Sequence, residues 1–308
     1  MVCAFASLGT NHAKPYGPEL QVKQMLAGLR FAEQIEGINM ENNSLRSTQY
    51  VNDQKFNARI VLHTKYGVNK TPWPIWLFSQ YSLTENERII EFGCGNGLLW
   101  KVNSFRVNQN WDITLSDFSQ GMIDAAKESI GNDKITYKVI DMSTFVDDKK
   151  YTKAIANHML YHVEKRDKAI QNVSSILDDN GILYASTVGN DDMKEMSEII
   201  SGFTGNNNYK EAKGSITESF SLENGSEQLK KYFEKVDKKI YEDSLEINSA
   251  ADLANYVLSC NDLKPGITVL KNEEKEEFVK YLKRIIDRQG KIHITKSSGM
   301  FIASKTNS

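Results

Sequence analysis

The chain has little of what several large protein classes require. Only three cysteines occur among its 308 residues. Cys3, Cys94 and Cys260 lie far apart and form no C-x-x-C pair. A disulfide framework or a zinc site needs closer, grouped spacing, and iron–sulfur radical chemistry needs a cysteine cluster, so none of these is expected. No apolar run approaches the roughly 18 residues of a membrane-spanning helix. The opening stretch, 1–6, is apolar but short and has no basic segment before it. That argues against a secretory signal, and for a cytoplasmic protein with no membrane partner. An excess of one charge is also missing: 38 Lys and Arg against 40 Asp and Glu leave a net charge of -2. Nucleic-acid binders usually carry a basic surplus, so no nucleic-acid partner is expected. No repeat of solenoid period is present.

What is there is an ordinary globular composition with an alternating pattern. Apolar spacing predicts helices over about 20–36 and 52–64, separated by a polar, turn-rich 39–48. Pro72 and Pro74 break the chain next, and Pro74 can open a short helix over 75–81. Strands are expected at 88–92, 112–115, 135–140, 154–156 and 182–186, with helices at 119–130 and 165–177. Such alternation predicts an α/β, Rossmann-like doubly wound parallel sheet with helices on both faces. The segment 190–235 is polar and interrupted by Gly202, Gly205, Gly214 and Gly225, and reads as a lid insertion. A strand at 239–247 and helices at 249–259 and 272–288 follow. Two short segments, 291–295 and 299–303, close the chain as added edge strands. The expected organisation is a helical N-terminal extension, 1–48, before a single domain, 49–308.

Chemistry concentrates at Glu91-Phe92-Gly93-Cys94-Gly95-Asn96-Gly97. Glycines directly after a buried strand let the backbone turn tightly and approach a ligand. Any nucleotide can use such a turn, but two details narrow it. The spacing is G-x-G-x-G, and Leu98 stands where a dinucleotide-binding G-x-G-x-x-G places its last glycine. Glu91, two residues before the first glycine, would repel a pyrophosphate and suits a cationic amino-acid end. Asp117 ends the second strand, where it can accept hydrogen bonds from ribose hydroxyls. Asp141 ends the third, placed to meet an exocyclic amine of adenine. Each acid alone is as readily a helix cap or a solvated strand end; three in register are not.

These residues, together with 115–122, Ile140-Asp141-Met142 and Ala156-Asn157-His158-Met159-Leu160-Tyr161-His162, resemble the class I S-adenosylmethionine-dependent methyltransferases, in the branch often called methyltransferase type 11. The likeness runs over about 55–305. At 176–181 the family's usual L-K-P-G-G turn is altered, with Asp179 in place of proline and Asn180 in place of the first glycine. The resemblance implies a sheet of about seven strands with the last antiparallel, and S-adenosylmethionine as cofactor. It implies that Glu91, Gly93 and Gly95 hold the methionine part, Asp117 the ribose, and Phe118, Asp141 and Met142 the adenine. Cys94 enters the cofactor set as a small residue of the turn, beside Met122 and Asn157. Arg59 and His63, before the first strand, are expected as lid or carboxylate contacts.

Methyl transfer from a sulfonium is an in-line displacement with an excellent leaving group, so alignment and exclusion of water do most of the work. A general base is needed only when the acceptor must lose a proton. The expected catalytic candidates follow the fourth strand, where open α/β sheets place ligands: His162, Tyr161 and His158. His158 and His162 are spaced i, i+4, but no glutamate lies between them and no third ligand is evident, so no metal is expected. Trp73 and Trp76 read as core anchors before substrate stacks. The expected activity is methylation of an O, N or S atom of a small-molecule acceptor. RNA or protein methylation is the rival, although the Asn/Asp-Pro-Pro-Tyr/Phe turn of amino-group methylation is absent. A silent binding module would have degraded acids and glycines, and Glu91 and Leu98 oppose a nicotinamide dehydrogenase.

Overall fold

The computed structural model describes residues 62–305, which belong to a unit spanning Thr48–Ser308. The expected extension 1–48, most of the expected helix 52–64, and Arg59 lie outside the described residues.

Seven strands form one sheet: β1 (Arg88–Phe92), β2 (Asp112–Asp117), β3 (Thr136–Val139), β4 (Tyr151–Asn157), β5 (Leu177–Val188), β6 (Lys235–Ile247) and β7 (Ile292–Ser304). Their order is β3-β2-β1-β4-β5-β7-β6. The first five pair in parallel, and β7 runs antiparallel to both of its neighbours. The sheet therefore reverses its winding between β1 and β4, and the carboxyl ends at that point are where such sheets bind ligands.

Helices cover both faces because successive strand residues point to opposite sides. On one face Ile89, Ile113, Leu115, Ile155 and Tyr184 pack with Leu77, Trp100 and Ile123. Those last three come from α1 (Trp73–Gln80), α2 (Leu98–Val102) and α3 (Gln120–Ile130). On the other face Ile90, Phe92, Ala154 and Leu183 meet Ile170 and Val173 of α4 (Arg166–Ile176) and Leu229 of α7 (Gly225–Leu229).

The paired strands β6 and β7 continue past β5. The pairing of β5 with β7 ends at Val188↔Ser298, while β6 and β7 stay paired to Ile247↔Ile292. This overhang carries a third apolar cluster with α5 (Lys194–Thr204), α6 (Asn208–Ser219), α8 (Ala250–Ser259) and α9 (Lys275–Gln289). It stands at the carboxyl edge of the sheet and walls one side of the ligand end.

Three local expectations change. The closing segments are one continuous strand, and it is internal; the edge is β6. Gly299 lets it continue, since a Cβ there would stand 2.5 Å from the Lys239 carbonyl oxygen. The segment 190–235 is mostly helical (α5, α6, α7), with Gly205 closing α5 at φ 71°. The turn at 178–181 is absorbed inside β5, where the register moves from Tyr151↔Leu177 to Lys153↔Ile182.

Candidate functional site

After β1 the chain reverses through Gly93, Gly95 and Gly97, at φ 69°, 56° and 76°. L residues rarely adopt this left-handed region. The three glycines serve different ends. A Cβ at Gly93 would lie 2.8 Å from Met159 Cβ, and one at Gly97 would lie 2.6 Å from Ile130 Cδ1. At Gly95 it would meet nothing within 4 Å, so the bare backbone there faces open space. The Cys94 N–H donates to the Ser116 carbonyl at 2.9 Å, tying the turn to β2. The Cys94 thiol is buried, which pushes its pKa up and leaves it no thiolate character near neutrality.

Glu91 is 2% exposed. Trp100 Nε1 donates to its Oε2 at 2.5 Å, and Asn157 Nδ2 to its Oε1 at 3.2 Å. The same Asn157 amide donates to Tyr81 Oη at 3.0 Å. Burial outweighs those two donors and pushes the Glu91 carboxyl up to about 7. Asn157 Oδ1 is buried beside it with no hydrogen-bond partner. A buried acid and an orphaned acceptor together fit a cation with several N–H donors, as an amino-acid ammonium has.

Asp117 braces the turn, its Oδ2 accepting from the Gly95 N–H at 3.0 Å and its Oδ1 from the Ser119 N–H at 2.9 Å. A carboxylate has more than two acceptor positions, so ribose hydroxyls can still be taken. Beside it Phe118 is 77% exposed and Met122 is 43% exposed, large apolar side chains that a flat base could cover. Asp141 Oδ1 accepts from the Ser143 N–H at 2.8 Å and its Oγ–H at 2.7 Å, forming a turn cap. The Met142 side chain is buried in the core with Phe92 and Tyr151, so its backbone is what remains for a ligand.

The expected catalytic residues adjoin one another through the Tyr161 ring. His158 sits at φ 49° and its N–H donates to the Ser186 carbonyl at 3.1 Å. Its ring lies 5.2 Å from Trp73 and 6.3 Å from Tyr161, and burial lowers its pKa to about 4. Residues Leu160–His162 form a 3-10 turn, so His158 and His162 share no helix face. Tyr161 is half-buried; His162 is exposed and packs on the Tyr161 ring at 4.5 Å. Trp73 stacks on Trp76 at 5.2 Å, and both meet Tyr241 edge-on. His63 precedes α1 in the chain; its ring lies 5.9 Å from Tyr256, and Lys296, Asp192, Asp243 and Lys213 are the charges that act on it. Among the described residues no group of three or more His, Cys, Asp or Glu could hold a metal ion.

Sequence reasoning passed over Tyr81, Trp100 and the half-buried pairs Lys213–Asp192 and Lys296–Asp243. Trp100 carried a signal, an indole N–H on the first helix after an acid-tipped strand. The ion pairs carried none, because their partners come from separate elements.

Residues 75–235, just over half of the chain, match the model of a methyltransferase domain family. The chain belongs to that family. The expectation of a class I, S-adenosylmethionine-dependent enzyme therefore holds at the level of family and fold. A malonyl-[acyl-carrier protein] O-methyltransferase of Bacillus cytotoxicus is 29% identical over 149 residues, 46% of this chain and 51% of the relative. The chain spans about half the length of the curated relatives it matches. Two solved structures share the fold at a TM-score of 0.50. A methyltransferase-like protein of Bacillus halodurans is 12% identical, the match covering 76% of this chain and 99% of that one. A phosphoethanolamine N-methyltransferase of Haemonchus contortus, bound to S-adenosylhomocysteine, is 16% identical, with coverage of 85% and 59%.

Proposed function

We propose that this chain binds S-adenosylmethionine at the glycine turn and transfers its methyl group to an O, N or S atom of a small-molecule acceptor. The observation that carries the reading is the pairing of buried Glu91 with the orphaned Asn157 Oδ1, next to the open backbone at Gly95. When bound, the cofactor supplies a sulfonium-activated methyl group open to in-line attack. Glu91 and Asn157 would hold the ammonium end, Asp117 the ribose diol, and Phe118 and Met122 would flank the base. His158 and Tyr161 would line the acceptor side beyond β4. Walls built from Trp73, Tyr241 and half-buried His158 favour a compact acceptor over a macromolecular surface.

A second reading is supported by the name of the Bacillus relative: a carboxyl group carried on an acyl-carrier protein. A cytoplasmic setting stays part of the proposal; no described helix is long and apolar enough to cross a membrane.

Incubation with methyl-labelled cofactor and fractionated cell extract separates these readings. Label in the small-molecule fraction is expected. Label bound to protein and released by thioester cleavage would favour the carrier-protein reading, and label only in RNA or on protein side chains would overturn both.

A further inference from the structure

A second group of polar side chains gathers on the overhang, apart from the glycine turn, and its charges cancel. Lys213 pairs with Asp192 at 2.8 Å and Lys296 with Asp243 at 2.9 Å, all four side chains 18% exposed or less. The two acids are occupied further. Asp192 Oδ1 accepts from the Ser297 N–H at 3.0 Å, and Asp243 Oδ1 from the N–H groups of Val68 and Asn69 at 3.1 and 2.9 Å. An incoming carboxylate would find neither lysine free, and an incoming ammonium neither aspartate. Charging such a space without a partner is costly.

Beside these pairs lies an unmet hydrogen-bonding group. His63 Nδ1 is buried with no partner. A buried polar atom left so is costly, and a ligand that bonds it recovers that cost. Four charges act on His63: Lys296 on β7, Asp243 on β6, Asp192 after β5 and Lys213 on α6. Burial and the lysine of β7 hold the ring neutral down to about pH 4. A neutral imidazole offers one donor and one acceptor. Geometry ties both imidazoles to these ions. A Cβ at Gly67 would lie 2.7 Å from the His63 carbonyl oxygen and 3.7 Å from Asp243 Oδ2. Lys296 Nζ lies 5.6 Å from the ring of Tyr241, which meets Trp73, the neighbour of His158. The walls are flat: Trp73 lies 5.2 Å from His158 and 5.0 Å from Tyr241.

We propose that His63 and His158 form an acceptor subsite for an uncharged molecule bearing a hydroxyl on a flat apolar body, with the hydroxyl against His63 Nδ1. The subsite rests on the methyl-donor reading above, and names the class of acceptor that reading leaves open.

The test uses the full chain, 15N-labelled and loaded with S-adenosylhomocysteine, and follows the imidazole nitrogens by NMR. Signals are assigned by their loss in His63→Gln and His158→Gln. Phenol is the uncharged probe; benzoate and benzylamine carry the same ring with a charge of either sign. Phenol should shift the His63 signals saturably, with the charged probes at least about tenfold weaker. His63→Gln should weaken phenol by about tenfold and leave S-adenosylhomocysteine affinity within about twofold. Phenol leaving both imidazoles unmoved in protein that binds S-adenosylhomocysteine would overturn the subsite, as would tighter binding of either charged probe. The wild-type titrations decide this even where a variant does not fold. Calorimetry with S-adenosylhomocysteine comes first, and no binding there would remove the donor reading itself.

Discussion

A carboxylate sealed from water keeps its proton until something makes ionisation worthwhile. Glu91 is in that position, its pKa raised by burial from an ordinary 4.5 to about 7. A raised acid destabilises the ligand-free fold as pH climbs from the ordinary value through the folded one. At about 1.4 kcal/mol per unit, ionised Glu91 costs up to about 3 kcal/mol at pH 8. Glu91→Gln should therefore stabilise the ligand-free protein at pH 8 by about 1–3 kcal/mol in urea unfolding. Its amide oxygen can still accept from Trp100, but S-adenosylmethionine should bind about tenfold more weakly. In the wild type, affinity should fall as pH drops below about 7, because the ammonium end needs the carboxylate ionised. Calorimetry at pH 6 and pH 8 checks the sign, and a pH-independent affinity would contradict it. Glu91 and Asp117 were legible because a strand end and a glycine turn fix where they point. The i, i+4 spacing of His158 and His162 says little, because such spacing means a shared face only on an α-helix and a 3-10 turn stands there.

The segment 62–72 is laid along β6 as a strap. The Val68 N–H donates to the Ser244 carbonyl at 2.9 Å, Tyr241 Oη to the Thr71 carbonyl at 2.7 Å, and Lys65 pairs with Asp252 at 2.8 Å. Asp243 is its main clasp, bonding two strap amides and Lys296 at once. Asp243→Ala strands Lys296 and should cost about 3–5 kcal/mol. Hydrogen exchange should quicken at Val68 and Asn69 far more than in β1; equal exchange there would refute the clasp. The glycine turn gives a second contrast. Gly97→Ala adds a clash with Ile130 to a strained φ and should cost about 1–3 kcal/mol in folding. Gly95→Ala meets no atom, so it should cost folding less and cofactor binding more. Chemical unfolding and calorimetry on both variants separate the two effects. Glycines between 190 and 235 were harder to read. Gly225 is packed under Phe301, where a Cβ would come within 2.5 Å of the ring, so it marks close packing, not a loop.

The described residues form one mixed sheet, parallel over its first five strands, with the β6–β7 overhang beside its carboxyl end. Alternating strand and helix patterns made the first five strands legible, since each has its own local apolar run. The place of β7 was not legible. Nothing within 292–304 says that its neighbours are β5 and β6, 45 residues earlier at the nearest pair, Ile247↔Ile292. The acceptor side depends on that pairing, because Lys296 and Ser297 reach Asp243 and Asp192 only across it. The donor side is marked by a local motif, the glycine turn after β1, which Asp117 and Asn157 reach from β2 and β4. The central claim is therefore best tested on the donor side, by calorimetry of S-adenosylhomocysteine with wild type and Asp117→Ala, each checked as folded. Wild type should bind, and loss of the ribose contacts should weaken binding by about a hundredfold. No binding to wild type, alongside tight binding of NAD, would contradict the account.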